Sequence, residues 1–162
     1  MNDKKSKYLA EIHRHVMLVQ KSLNKLSSDL VERGRIHDFS KFSEPELSGF
    51  SENVDNVPGM VYNSEEYSKK WLEMKPIIDV HHINNRHHPE HWPDGINEMS
   101  LLDILEMISD WKAACSRYKD GDLMKSVDIN CEKYNVTPQL KQIILNTIRD
   151  NFDENTDIHN RN

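Results

Sequence analysis

The chain has 162 residues, of which 36% are hydrophobic and 30% charged, and a formal net charge of −6. That length suits one domain around one core, and its content of Leu, Ile, Val, Met and Trp is too high for a disordered chain. The acidic balance lacks the basic footprint that grips a nucleic-acid backbone, so a nucleic-acid polymer is not the expected partner.

With five glycines and six prolines, the chain has few helix breakers and reads as all-α. The first predicted helix runs from Asp3 to Arg33. Its Leu9, Ile12, Val16, Val19, Leu23, Leu26 and Leu30 alternate three and four apart in one apolar stripe, and Gly34 is placed to end it. A short segment, Arg35 to Phe42, follows. Ser43 and Glu46 have capping-box spacing for a second, short helix, and Gly49 to Gly59 reads as a loop. Asn63 and Glu66 repeat the capping-box spacing before a third helix, whose face carries Tyr67, Trp71, Met74, Ile78 and His81 or His82. Pro76 is expected to kink or split that helix, and Pro89 to end it.

Ser100 caps a fourth helix. Its apolar residues, from Leu101 to Tyr118, cover more than half the circumference, which makes it the central buried element. Asp120-Gly121-Asp122 reads as a turn and Leu123 to Tyr134 as a weaker helix. Thr137-Pro138 opens the last helix, with Leu140, Ile144, Thr147 and Ile148 as its stripe. The expected organisation is one helical domain over residues 1–155 and a frayed polar tail over 156–162. No apolar leader follows Met1, no run approaches the ~20 residues of a membrane span, and Cys115 and Cys131 form no CxxC pair. The expected compartment is therefore the cytoplasm, with reduced thiols and no membrane partner.

Nine histidines carry the chemistry. They fall, with carboxylates, into four stretches: Glu11 with His13 and His15; His37-Asp38 with Lys41; His81-His82 with His87-His88; and Asp110. Imidazole plus carboxylate suits a divalent first-row cation, and the absence of cysteine from these stretches argues against a structural zinc knuckle. Helical phase places His15 about 60° from the centre of the first stripe and His13 about 100° away on the other side, so His15 borders the core and His13 faces water. Glu11 shares a side of the helix with His15. Separations of six and seven residues bring some of His81, His82, His87 and His88 onto one face, but not all four can be ligands. His91 reads as a loop histidine packed on Trp92. Asp110 lies at the edge of the most apolar helix, where a buried carboxylate needs a partner; it is either a metal ligand, or paired with an arginine or exposed to solvent. Lys41, three residues after Asp38, is placed to neutralise a phosphate oxygen beside a metal; its plainer role is a lysine in a charged turn.

Taken together, HDFSKF, NRHHPEHW and EMISDWKAA resemble the HD superfamily of metal-dependent phosphohydrolases, and within it a small uncharacterised HD-like family of phages and bacteria. The likeness spans roughly His15 to Ala114. It implies an HD-like helical fold and the ligand order His15, His37-Asp38, Asp110 around one ion, with His82, His87 and His88 first in line for a second and Glu11 and His81 as further candidates. There is also a partial likeness to the HD-GYP phosphodiesterases. It extends to Glu11 four before His15, Lys41 three after Asp38, and paired histidines before Asp110, but the GYP element is absent. In nucleotidase members a glutamate often stands near the place that Lys41 occupies here. The resemblance implies one or two divalent ions, Mn or Fe before Zn, Ni, Co or Mg. It also implies hydrolysis of a nucleotide or related phosphate ester, with Asp38 and Lys41 catalytic. The competing expectation is a non-catalytic helical protein, stabilised by its metal, that binds a phage or host partner. Homo-oligomers are compatible with either.

Overall fold

The computed structural model describes residues 3–54, 64–117 and 121–152, except for the side chains of Glu66 and Tyr67. Their secondary structure is six α-helices and three short 3-10 turns, with no strand among the described residues. The protein is all-α, as its periodicities predict. No described helix is long and apolar enough to cross a membrane. The chain divides between His37 and Asp38 into two compact units.

The first unit is one helix, α1 (Asp3–Ile36). It runs through Gly34, which does not take the left-handed conformation that would end it; the left-handed residue is Asp38, at φ 56°. An aspartate tolerates that region better than most side chains. No residue of α1 is buried, so the apolar stripe is present but unburied, and His15 does not border a core. Ion pairs at helical spacing, such as Lys25–Asp29 at 2.9 Å and Arg35–Glu32 at 2.7 Å, lie along this exposed helix. Such pairs contribute only a few tenths of a kcal/mol each.

The second unit begins with a 3-10 turn over Phe39–Phe42. Next come α2 (Glu46–Ser51) and α3 (Glu65–Asn84). Two more 3-10 turns, Pro89–His91 and Gly95–Glu98, lead to α4 (Leu101–Cys115), α5 (Leu123–Lys133) and α6 (Pro138–Asn151). The core lies among the last three. Met107 and Ile108 of α4, Val127 of α5 and Ile144 of α6 are each at most 1% exposed. The prediction of a central fourth helix therefore holds. Its cap is the expected Ser100, which forms a capping box with Asp103.

Other boundaries differ from the sequence reading. Ser43 does not cap α2; the cap position is Pro45, and no side chain caps there. Glu46 is drawn away from Ser43 to long-range partners. Part of the predicted 49–59 loop is helical, because α2 extends to Ser51. Gly49 is required where it stands: a Cβ there would meet the Ile77 side chain of α3 at 2.5 Å, so the glycine lets α2 lie against α3. Pro76 does not split α3. That helix ends at Asn84, five residues before Pro89, with consequences for the histidines. Asp122, expected in a turn, caps α5 by accepting from the Met124 and Lys125 amides. The expected cap at Asn63, the turn residue Asp120 and the 156–162 tail lie outside the described residues.

Candidate metal centre

Three segments of the second unit converge on a cluster of imidazoles. Asp38 stands at the head of the first 3-10 turn. His81 lies in the last turn of α3. His87 and His88 lie in the turn between Asn84 and Pro89. On a continuous helix, residues seven apart would be separated by about 10 Å along the axis. Because α3 stops at Asn84, the chain folds back instead, and the His88 amide donates to the Asn85 carbonyl at 3.2 Å. Pro89 then starts the next turn. The histidine pairs therefore meet through a reversal, not through the helical face that their spacing suggested.

Each donor atom of the cluster has a defined direction. The His81 Nε2 lies 3.2 Å from Asp38 Oδ1 and 3.0 Å from the Nε2 of His88. His87 Nε2 lies 3.6 Å from the same Asp38 oxygen. One ligand atom each from Asp38, His81, His87 and His88 falls within 4.8 Å of all the others. Two donors about 2.1 Å from a common ion stand about 3.0 Å apart at 90° and about 3.4 Å apart at the tetrahedral angle. The 3.0–3.6 Å spacings here are compatible with donors that share one ion. Asp38 Oδ2 is held by Lys41 Nζ at 2.5 Å, and Lys41 also lies 5.2 Å from the centre of the Phe50 ring.

Behind the imidazoles lie two glutamates that the sequence reading missed. Glu46 is 1% exposed and accepts from Ser40 Oγ at 2.9 Å, His81 Nδ1 at 2.8 Å and Asn84 Nδ2 at 2.9 Å. Burial alone would raise its carboxyl pKa. The hydrogen bonds from Asn84, His81 and Ser40, with the electrostatic influence of the His81 ring, outweigh burial and hold it below the usual carboxylate range. Glu106 of α4 sets Oε1 3.2 Å from His87 Nδ1. A signal for Glu106 was present, since Asp103, Glu106 and Asp110 recur at i, i+3 and i+7 on the most apolar helix. Glu46 gave none, because its partners lie up to 38 residues away.

His88 is kept neutral: burial first, then the neighbouring imidazoles of His87, His82 and His81, push it far below the usual histidine range against the pull of Asp38. His82 is lowered by burial, with Glu90 opposing. His82, His88 and Glu90 make a second grouping of donor atoms within 4.8 Å, but Glu90 already accepts from Lys133 Nζ at 2.9 Å and Tyr134 Oη at 2.9 Å.

The remaining predicted residues divide by unit. Asp110 brings a carboxylate oxygen within 4.8 Å of a His87 ring nitrogen. His37 is the last residue of the first unit and is partly buried. Glu11 and His15 also belong to that unit, and both are exposed. His91 packs on Trp92 as expected, with ring centres 4.9 Å apart. The turn itself is pinned from outside the cluster. Arg86 donates through Nε and a terminal nitrogen to Asp103 at 2.7 and 3.2 Å, and Trp92 Nε1 donates to the Arg86 carbonyl at 2.9 Å.

These features define an all-helical protein with a partly buried His/Asp cluster that could hold a metal ion. Over residues 4–150 the chain matches, and belongs to, a family of unknown function (DUF5662). No curated protein and no solved structure matches it.

Proposed function

We propose that the protein is a metal-dependent phosphohydrolase of HD type acting on a nucleotide or related phosphate ester. Asp38, His81, His87 and His88 would hold a divalent cation. The observation that carries this reading is the 3.0–3.6 Å spacing of their donor atoms. Three imidazoles and one carboxylate are the donor set of Mn, Fe, Zn, Co or Ni more than of Mg, which prefers oxygen. The phosphohydrolase part rests on the HD resemblance; Asp110 near His87 is compatible with it. When bound, such a cation supplies Lewis acidity and a water acidified toward neutral pH.

The chain's own groups have separable tasks. Asp38 offers Oδ1 to the cluster and holds Lys41 on Oδ2. Lys41, anchored there, presents positive charge beside the cluster, where it balances the negative charge of phosphate oxygens.

A second reading has an observation of its own. Asp38, His81, His87 and His88 suffice to fill a tetrahedron, and a closed four-ligand shell is the mark of a structural ion. On that reading the protein is a metal-stabilised binding module. Elemental analysis of protein purified without added metal, followed by a phosphate-release screen with Mn, Fe, Co, Ni, Zn and Mg, tests both. The expected result is a bound cation and turnover, with Lys41→Ala retaining the cation but losing about 10²-fold in rate. Bound metal with no turnover under any cation favours the binding module. Absence of metal from both the purified and the reconstituted protein refutes both.

A further inference from the structure

We propose that Glu46 and Glu106 are positioning residues of the metal centre, each fixing the tautomer and ring orientation of one ligand imidazole, Glu46 for His81 and Glu106 for His87. The inference rests on the metal reading above, but not on the phosphohydrolase chemistry.

The geometry is similar at both histidines, although Asn85 Nδ2, which donates to Ser40 Oγ and to the His81 carbonyl, also lies 2.9 Å from His81 Nδ1. In each, Nδ1 faces a glutamate, at 2.8 Å for His81 and 3.2 Å for His87. In each, Nε2 faces Asp38 Oδ1. An ionised carboxylate only accepts hydrogen bonds, so the ring nitrogen beside it carries the hydrogen. A neutral imidazole with its hydrogen on Nδ1 has its lone pair on Nε2, the nitrogen aimed into the cluster. The two glutamates therefore select the ligating tautomer at two positions and raise the basicity of both donors. They come from different elements, α2 and α4, on either side of the histidine turn. Glu46 reaches its place because Gly49, one helical turn later, lets α2 close on α3.

Burying a carboxylate to 1% exposure is costly. Glu46 is surrounded by Ser40, Asn84 and His81, so it also ties α2 to α3. The test must separate that structural tie from positioning. The variants are Glu46→Gln and Glu106→Gln, each made also in His81→Ala and His87→Ala backgrounds. Affinity for Co(II) is read from its visible absorption, and the melting temperature of the metal-free protein is measured alongside.

Each single Glu→Gln change is expected to weaken Co(II) binding about ten- to a hundredfold. The effect of Glu46→Gln should vanish in the His81→Ala background and persist in the His87→Ala background. Glu106→Gln should show the opposite pattern. A tie that is only structural would lower the metal-free melting temperature and weaken binding equally in both backgrounds, and that pattern overturns the proposal. Single variants that bind Co(II) as the parent does overturn it too. A parent chain that binds no Co(II) overturns the metal reading itself, a failure distinct from these.

Discussion

Arg86→Ala removes the clamp on the histidine turn. Its partner Asp103 is 0% exposed and takes two hydrogen bonds from the guanidinium, at 2.7 and 3.2 Å. Breaking a buried pair by removing one member costs about 3–5 kcal/mol. Two features reduce that figure. The Arg86 side chain is 52% exposed, so water shares the charge. Asp103 also keeps the Ser100 amide at 2.8 Å and hydroxyl at 2.6 Å. Hydrogen bonds to a charged group contribute about 1.5–3 kcal/mol each, and solvent replaces part of that here. The guanidinium over Trp92, 4.9 Å from the ring centre, adds about 0.5 kcal/mol. The expected loss is about 2–3 kcal/mol, which lowers the melting temperature by about 10 °C for a unit of this size. Differential scanning calorimetry on parent, Arg86→Ala and Arg86→Lys measures it, and Lys should recover only part because it cannot reproduce the forked pair. A melting temperature for Arg86→Ala within 2 °C of the parent (about 0.5 kcal/mol) would refute the assignment of Arg86 as the clamp.

Ile144→Ala empties a position 1% exposed between α6 and the core, and should cost about 3 kcal/mol in urea unfolding; a loss under 1 kcal/mol would mean that the α4–α6 core is looser than described. Cys131 is buried, and burial raises its thiol above the usual range, with Asp128 adding to the shift and Lys141 opposing it. At pH 8 a disulfide reagent should therefore label Cys115 in the native protein and Cys131 only after denaturation, and rapid native labelling of both would contradict this. The sign for stability follows: a raised folded pKa contributes stability present below the unfolded thiol pKa and lost as pH rises through the folded value.

The fold was legible where local signals and tertiary demands agree. Ser100 with Asp103, and Thr137 with Pro138, announce α4 and α6 because a cap needs only its own first turn. The apolar arc of α4 marks it as central for the same reason: burial is written along one helix. Ser43–Glu46 misled because Glu46 has stronger partners, Ser40, His81 and Asn84, brought in by packing. Gly34 misled because a glycine permits a left-handed turn without requiring one, and Asp38 takes it instead.

The candidate site was legible in part: the sequence named Asp38, His87 and His88, but it grouped Asp38 with His15, His37 and Asp110 and passed over Glu46 and Glu106. His87, His88 and Asp38 stand out by residue type, but the reversal that brings the histidines together was not read from their spacing. His81 was a secondary candidate beside His82, since adjacent helical residues diverge by about 100° and spacing cannot say which faces inward. Packing separates them: His81 is 5% exposed and points to Asp38, whereas His82 faces Glu90.

The site's physical logic follows from where its donors sit. None lies in the middle of a helix. Asp38 heads a 3-10 turn, His81 lies in the last turn of α3, and His87 and His88 occupy the reversal before Pro89. A helix interior fixes the angle between successive side chains, so neighbours cannot aim at one point. A turn lifts that restriction, and His87 and His88 bring their rings to 4.1 Å between centres. Turns are also where backbone order is weakest, so donors placed there need external restraint. Arg86 on Asp103 restrains the reversal, Lys41 restrains Asp38, and Glu46 restrains His81. Loss of the Arg86 or Glu46 restraint should therefore register in metal affinity before it registers in helix content. That ordering separates a built coordination site from a chance meeting of histidines, whose restraints would have no common target.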